Sequence, residues 1–410
     1  MNTQNLRDNY PKLISYMESD GYSKAHIDSF KREIKNILLV NSKEWSCYTD
    51  VYLEHTKKAF SPHTLRAKRT IIGAIEQFDI YGRYPDRKHR HELFERGSYP
   101  LLSSEFKSII DLYCQVEKKR GKQRSTIYTE SHNAATFFLS LQKKGINRLE
   151  KITEEAVLSI FMSPDEKLLR SCSYKKNISA VLKACIPYYP ATCAQALAFL
   201  PALRETRKNI QYLTPEEIHN VRRTLSEAGN LLTRRDKAIG ILAFYTGLRG
   251  CDIAGLTLDA IDWKKDLLYI RQQKTKVLLK LPLTAVVGNT IYDYLTSERP
   301  QTNSRCIFVS QLKPFDRLNS NSIHNVAVKI MKTAGIRQSK GDRKGFHLFR
   351  HHFATSLLMN EVPQPVISRT LGHTSPDSLE PYLRADFPHL KECAISIERF
   401  PVSQEVFSHE

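Results

Sequence analysis

No apolar run in this chain approaches the roughly 18 residues that a helix needs to cross a bilayer, and the first residues, MNTQNLRDNYPKL, lack the hydrophobic core of a secretory signal. Both absences predict a soluble, intracellular protein. The eight cysteines contain no Cys-x-x-Cys pair and no zinc spacing, so neither a metal centre nor a disulfide framework is expected, and the thiols are read as reduced and mostly buried. There is no GxxxxGK[ST] loop to cradle a nucleotide phosphate and no carboxylate constellation for a divalent ion. Acidic residues are also short: 43 Asp and Glu stand against 62 Lys and Arg, a formal charge of +19 that gives a pI near 9.5. Such an excess favours a polyanionic partner, nucleic acid before an anionic membrane surface. With 410 residues, 41% of them hydrophobic, the chain can bury two or three cores.

From Tyr10 to about Ile80 the pattern is helical, with Ile27, Phe30, Ile34, Ile37 and Leu38 at helix spacing and a second run through Leu65, Ile72 and Ile75. Ser61 and Pro62 mark the start of that second helix. Arg83 to Pro100, RYPDRKHRHELFERGSYP, reads as a basic linker that is either a solvated connector or a strand of charge along a polyanion. Helical periodicity returns from Ser103 to about Pro201, with Gly121 and Gly145 where helices end. GYSKAHIDSF and KQRSTIYTESHNAATFF share a rhythm that hints at a repeated helical unit. A third region opens near Leu213, where Thr214, Pro215, Glu216 and Glu217 form an N-cap, a first-turn proline and dipole-matched acids.

In that region Ala238 to Gly255 is an apolar helix that reaches Gly247 and then presents Arg249. An arginine there needs a phosphate or an acidic partner, and Asp252 is the nearest acid. Leu267 to Arg271 and Val277 to Leu283 read as a hairpin whose QQKTK turn exposes Lys274. Helices follow at Thr290 to Leu295 and Ser322 to Thr333, then a basic loop, RQSKGDRKG. The densest stretch is Gly345 to Asp386. His347 and Arg350, three apart, share a helix face suited to one anionic group. Leu371, Gly372 and His373 make a compact turn, and Tyr382 stands nine residues beyond His373. A phenol beside a phosphate grip suggests a nucleophile. Taken singly these are ordinary residues; their joint register carries the signal.

The series His347, Arg350, His351, then Leu371, Gly372, His373, then Tyr382 resembles the signature of the tyrosine recombinases, or phage integrases. Thr246-Gly247-Leu248-Arg249 with Asp252 resembles the family's first arginine motif, and Lys274-Thr275 before Pro282-Leu283 its lysine hairpin. The resemblance implies a mainly α protein with a small antiparallel β-sheet in the catalytic domain, in a multi-domain architecture that clamps DNA. It covers about residues 103–400 and implies a helical core-binding domain of SAM-like type at 103–205, a catalytic domain at 206–400 and a tail at 401–410; the first 95 residues, helical by their periodicity, are extra to it and are read as an accessory domain in contact with DNA, joined by a linker at 96–102. It further implies that Tyr382 attacks a DNA phosphate to form a 3′-phosphotyrosine, that Arg249 and Arg350 hold the phosphate, and that His373 hydrogen-bonds it. Lys274 then protonates the leaving 5′-oxygen, in preference to Lys276, and His347 assists the tyrosine proton, with Asp252 and His351 in support and no metal or cofactor. Arg87, Lys88, Arg90, Arg124, Lys276, Lys340, Arg343 and Lys344 are the candidate DNA contacts, while Arg384 is a DNA or surface charge. Pro381 requires that the tyrosine helix begin there or bend.

The expected partners are double-stranded DNA and further copies of the chain, a homodimer on one site and a tetramer in synapsis, with no membrane. The expected location is the cytoplasm, on the nucleoid when DNA is bound. An apolar stripe of Leu390, Cys393, Ala394 and Ile397 is read as docking on a neighbouring protomer. The expected activity is site-specific recombination or integration for a mobile element. The competing readings are a type IB topoisomerase and a non-catalytic DNA-binding regulator.

Overall fold

Apolar residues at helix spacing fold as helices throughout, and their polar caps set the ends. A computed structural model of the chain describes residues 1–39, 45–86, 91–165, 167–203, 211–227, 232–339, 341–375 and 378–383. The chain divides into two units, Met1–Arg207 and Lys208–Glu410. Among the described residues no helix is long and apolar enough to cross a membrane.

The first unit runs α1 (Gln4–Ser19), α2 (Lys24–Leu39), α3 (Tyr48–Thr56), α4 (Pro62–Tyr81), α5 (Ser104–Lys119), α6 (Arg124–Gln142), α7 (Glu154–Phe161), α8 (Cys172–Cys185) and α9 (Pro190–Ala198). The Ser61 hydroxyl caps α4 by accepting from the Thr64 amide at 3.1 Å. Two separate cores form, one around Leu6, Phe30, Tyr48 and Ile72, the other around Phe106, Phe138, Phe161 and Ile178. The rhythm seen in the sequence is structural: α1 and α5 begin and end 100 residues apart (4 and 104, 19 and 119), each followed by a left-handed glycine, Gly21 or Gly121, before α2 or α6. The side chains differ, Leu6 matching Phe106 and Leu13 matching Tyr113, so a shared turn geometry carries two different cores.

The segment after α4 is no freely solvated connector in its described part. Tyr84 packs its ring against Tyr16 and Phe78, Phe94 meets Tyr52, and the Leu93 carbonyl accepts from Thr49. Leu93 and Phe94 are half-buried and Tyr84 stays largely exposed, so the segment rests on α1, α3 and α4 by its ring and backbone contacts. Arg87, Lys88 and Arg90 lie outside the described residues.

In the second unit the Thr214 hydroxyl and the Glu217 carboxylate form a reciprocal capping box at the start of α10 (Pro215–Ser226). The apolar helix α11 (Arg234–Thr246) is buried on nearly all sides. It ends at Gly247, whose φ of +61° and contact with Phe353, only 2.7 Å from where a Cβ would sit, both require glycine. Then come α12 (Gly250–Ala254), β1 (Ile261–Asp262), β2 (Leu267–Arg271) and β3 (Leu278–Pro282). These strands form one antiparallel sheet in the order β1-β2-β3, with Leu268 opposite Leu281 and Ile270 opposite Leu279. The helices α13 (Ala285–Ser297), α14 (Ser320–Thr333), α15 (His347–Met359), α16 (Gln364–Leu371) and α17 (Glu380–Leu383) complete the unit. Helices α13, α14 and α15 pack around α11. The mainly α class with a small antiparallel sheet is therefore as expected.

Seven cysteines are unpaired among the described residues, but Cys185 and Cys193 alone of them are buried; Cys47 is exposed and four are half-buried. The stripe through Leu390, Cys393, Ala394 and Ile397, together with Arg384, lies outside the described residues.

Candidate active site

The site is assembled from three chain reversals: the end of α11, the β2–β3 turn, and the end of α16. Arg350, in the first half of α15, is buried. Its Nη1 donates to the Gly247 carbonyl at 2.9 Å and its Nη2 to the Leu371 carbonyl at 2.7 Å. Those oxygens lie at the C-terminal ends of α11 and α16, where the helix dipoles are negative. Arg350 is thus held by two helix ends. Burial and then the like charge of Arg249 pull its pKa down to about 10, while the Tyr382 hydroxyl and Asp252 act in the opposite sense.

Arg249, half-buried, is the N-cap of α12 and donates from Nη1 to the Gln272 side-chain oxygen at 2.7 Å. Asp252 was expected to pair with it and does not: its Oδ1 accepts from the Gln273 amide at 2.7 Å, steadying the β2–β3 turn, and its buried Oδ2 has no partner. One turn of α12 separates the two residues, and the hairpin amide takes the carboxylate first. Among the described residues neither Arg249 nor Arg350 makes an ion pair with a carboxylate.

Tyr382 lies in α17, which starts at Glu380, so Pro381 occupies the first turn, where a missing amide proton is harmless. Of the two geometries Pro381 allowed, the helix begins there. The Tyr382 ring is buried with Ala354, Leu358, Ile367, Leu371 and Leu379. Its hydroxyl is 3.1 Å from His351 Nδ1. Burial raises the phenol above its ordinary pKa, and Arg350, Arg249 and Arg343 pull it partly back.

Three histidines belong to this cluster, and His351 is the one that touches the hydroxyl. His351 is buried, and desolvation followed by the charges of Arg343, His347 and Arg350 lowers it to about 3. His373 stacks on Tyr382 with ring centres 6.3 Å apart, and burial, Arg350 and Arg249 lower it to about 4. His347, the first residue of α15, presents its ring to solvent. Its pKa is also lowered, by desolvation and then by Arg343, Arg350, Arg249 and Lys274. Arg350 points inward to the carbonyls, while His347 stays at the exposed mouth with its ring 6.3 Å from that of His351.

Lys274 is exposed in the hairpin turn, and its charge is felt at His347. Arg343, proposed as a DNA contact, is exposed and close enough to act on His347, His351 and Tyr382. Lys276, with φ +60°, and Lys344 are exposed, and Arg124 is the exposed first residue of α6 in the other unit. Lys340 lies outside the described residues. Among the described residues no cluster of three or more His, Cys, Asp or Glu is placed to hold a metal ion. Buried Asp252 Oδ2, His351 Nε2 and His373 Nδ1, all in this cluster, lack hydrogen-bond partners.

Sequence reading missed Gln272. The signal was present: Leu268 and Ile270 face inward along β2, and the same alternation turns Gln272 into the interior.

The family model for the phage integrase family matches residues 211–389. Over 169 residues the chain is 36% identical to the putative integrase/recombinase y4gC of Sinorhizobium fredii, covering 41% of this chain and 86% of that protein. The chain belongs to the phage integrase family, the tyrosine recombinases. It is also 28% identical over 177 residues to the tyrosine recombinase XerA of Pyrococcus furiosus, covering 43% of this chain and 58% of that protein. It spans less than half the length of two further S. fredii relatives, y4rF and y4rA. Among solved structures, the XerH site-specific recombinase bound to a palindromic difH substrate aligns with a TM-score of 0.54 at 19% identity, over 68% of this chain and 81% of that one. The Tn1549 transposon integrase in complex with transposon right-end DNA aligns with a TM-score of 0.50 at 15% identity, over 71% and 99%. These two likenesses concern the fold of a tyrosine recombinase.

Proposed function

We propose that the chain is a site-specific DNA recombinase or integrase of a mobile genetic element, cutting and rejoining double-stranded DNA through a phosphotyrosine at Tyr382. One observation carries this reading: Arg249 and Arg350 are each held by neutral oxygens among the described residues, and both charges act on the buried Tyr382 phenol. A pair of positive charges without carboxylate partners is costly alone and suits a phosphodiester.

The phenol oxygen forms a bond to phosphorus, and the bond from phosphorus to the 5′-oxygen breaks. Lys274 supplies the proton that the departing 5′-oxygen takes up. With a pKa near 3, His351 orients the hydroxyl, and the phenolic proton passes to His347 at the open mouth. Arg249 and Arg350 meet the charge growing on the nonbridging oxygens, and each positioned donor of this kind contributes about 100 to 1,000-fold in rate. His373 adds a hydrogen bond to the phosphate. The covalent link conserves the bond energy for rejoining, so the scheme calls for no metal or nucleotide. Exposed Arg124, Lys276, Arg343 and Lys344 supply phosphate contacts along the duplex. The working assembly is a dimer on one site and a tetramer in synapsis; one structural relative is a lambda integrase dimer bound to a core site, aligned with a TM-score of 0.50.

The test is covalent trapping. Nicked duplexes from the element's own ends, incubated with protein in EDTA, should give a DNA-linked band on a denaturing gel that Tyr382→Phe abolishes. Tight binding with no adduct would overturn the reading and favour a DNA-binding regulator, and an adduct that survives Tyr382→Phe would overturn Tyr382 as the nucleophile. Relaxation of supercoiled DNA without exchange between two sites would mark a topoisomerase instead.

A further inference from the structure

Directly after β2 the chain places a glutamine whose side chain is fully buried, Gln272. Its amide donates to the Val277 carbonyl at 2.9 Å and its carbonyl accepts from the Lys276 amide at 3.0 Å, closing the turn that carries Lys274. The side-chain oxygen accepts from Arg249 Nη1 at 2.7 Å and from the Thr275 hydroxyl at 2.6 Å, using both lone pairs. The side-chain nitrogen donates to the Leu371 carbonyl at 2.9 Å, the oxygen that also receives Arg350. Gly372 lies flat against the same group, with 2.5 to 2.6 Å between its would-be Cβ and the three amide atoms.

We propose that Gln272 is a positioning residue for strand transfer, an uncharged clamp that registers Arg249, the Lys274 turn and the His373 turn while leaving the charge of Arg249 to the scissile phosphate. This rests on the DNA strand-transfer reading above. The chemistry selects the amide. A carboxylate would align Arg249 equally well but neutralise it, and would set an anion against the Leu371 oxygen, which needs a donor. An aliphatic side chain would release both Arg249 and Thr275. Asp252 gives its Oδ1 to the Gln273 amide and makes no ion pair with Arg249, whose side-chain contact is with the neutral Gln272 oxygen.

The full-length protein and its Gln272→Glu, Gln272→Leu, Arg249→Ala and Gln272→Glu/Arg249→Ala variants would be compared in single-turnover cleavage of a nicked duplex and in DNA binding. Both Gln272 variants should bind DNA within about twofold of wild type yet form the tyrosyl adduct about 10 to 100-fold more slowly, the scale of a small misplacement at a reacting centre. The double variant should be no slower than Arg249→Ala, because both changes act on one guanidinium. With a neutral methylphosphonate at the scissile position the Gln272→Glu deficit should shrink. Wild-type rates in both variants, or losses that add to that of Arg249→Ala, would overturn the proposal. A second readout does not depend on cleavage. In the DNA-free protein, hydrogen exchange at residues 272–277 and 371–373 should quicken together in Gln272→Leu, and unchanged exchange there would equally overturn the clamp. A wild-type protein that forms no adduct would instead sink the strand-transfer reading.

Discussion

Buried charge is handled in opposite ways in the first unit and at the candidate active site. Glu33 sits between His55, at 2.9 Å, and Lys68. Lys122 bridges Glu117 at 3.1 Å and Glu130 at 2.7 Å. Asp79 accepts from the Leu6 amide at 2.6 Å and the Tyr48 hydroxyl at 2.7 Å, tying α1, α3 and α4 together. Each carboxylate there is satisfied by partners that hold the fold. At the site, two arginines lean on neutral oxygens and three buried polar atoms have no partner. Buried Glu33, Glu117 and Glu130 meet opposite charges inside the fold, whereas Arg249 and Arg350 meet no carboxylate among the described residues.

The comparison can be broken most severely through Glu33. Glu33→Ala should destabilise the first unit by about 3 to 5 kcal/mol, as removing one member of a buried ionic network does, read as a shift in the denaturant midpoint. Arg350→Ala should do the reverse. Strand cleavage should fall about 100 to 1,000-fold, while stability changes by about 1 kcal/mol for the donor lost at the Gly247 carbonyl. If Arg350→Ala unfolded the protein as readily as Glu33→Ala, the contrast would collapse. Acid sharpens it more gently. The folded state holds His351 near pKa 3 and His352 near pKa 4, below the ~6.5 of an unfolded histidine. Between pH ~6.5 and ~4 the unfolded chain therefore binds protons that the native state refuses, and stability falls as pH drops. At pH 5 each of the two should cost about 2 kcal/mol relative to neutral pH. Urea midpoints at pH 7.5 and 5 measure this, and His352→Phe, on the face that meets Phe244, should flatten the slope.

Much of the frame was legible because it is local. The Ser61 cap, the Thr214 capping box, the hairpin at Leu267 and the glycine stops at Gly121 and Gly145 are set by neighbours a few residues away. The spacing from His347 to Tyr382 likewise picked out residues that the fold brings together, with His351 and His373 against Tyr382. What escaped were partners distant in sequence. Asp252 was assigned to Arg249 by proximity along the chain, whereas the hairpin 21 residues on supplies the amide it binds. Gln272 reaches Leu371 across 99 residues, and only strand parity pointed inward. The segment at 83–100 was judged by its charges, and its aromatic residues Tyr84 and Phe94 proved to contact rings of the first unit.

Arg350 has one further consequence, which belongs to genetics. Its two acceptors are main-chain carbonyls, those of Gly247 and Leu371, and no codon change can delete a main-chain carbonyl. A carboxylate in their place would be one nucleotide from loss. The cradle is therefore exposed to mutation mainly through the backbone that shapes it, at Gly247 and Gly372, where any side chain must fit a left-handed conformation against Phe353 or Gln272. In a random-variant library, loss of function around Arg350 should concentrate at these two glycines and the arginine itself, leaving Leu371 replaceable by other apolar residues.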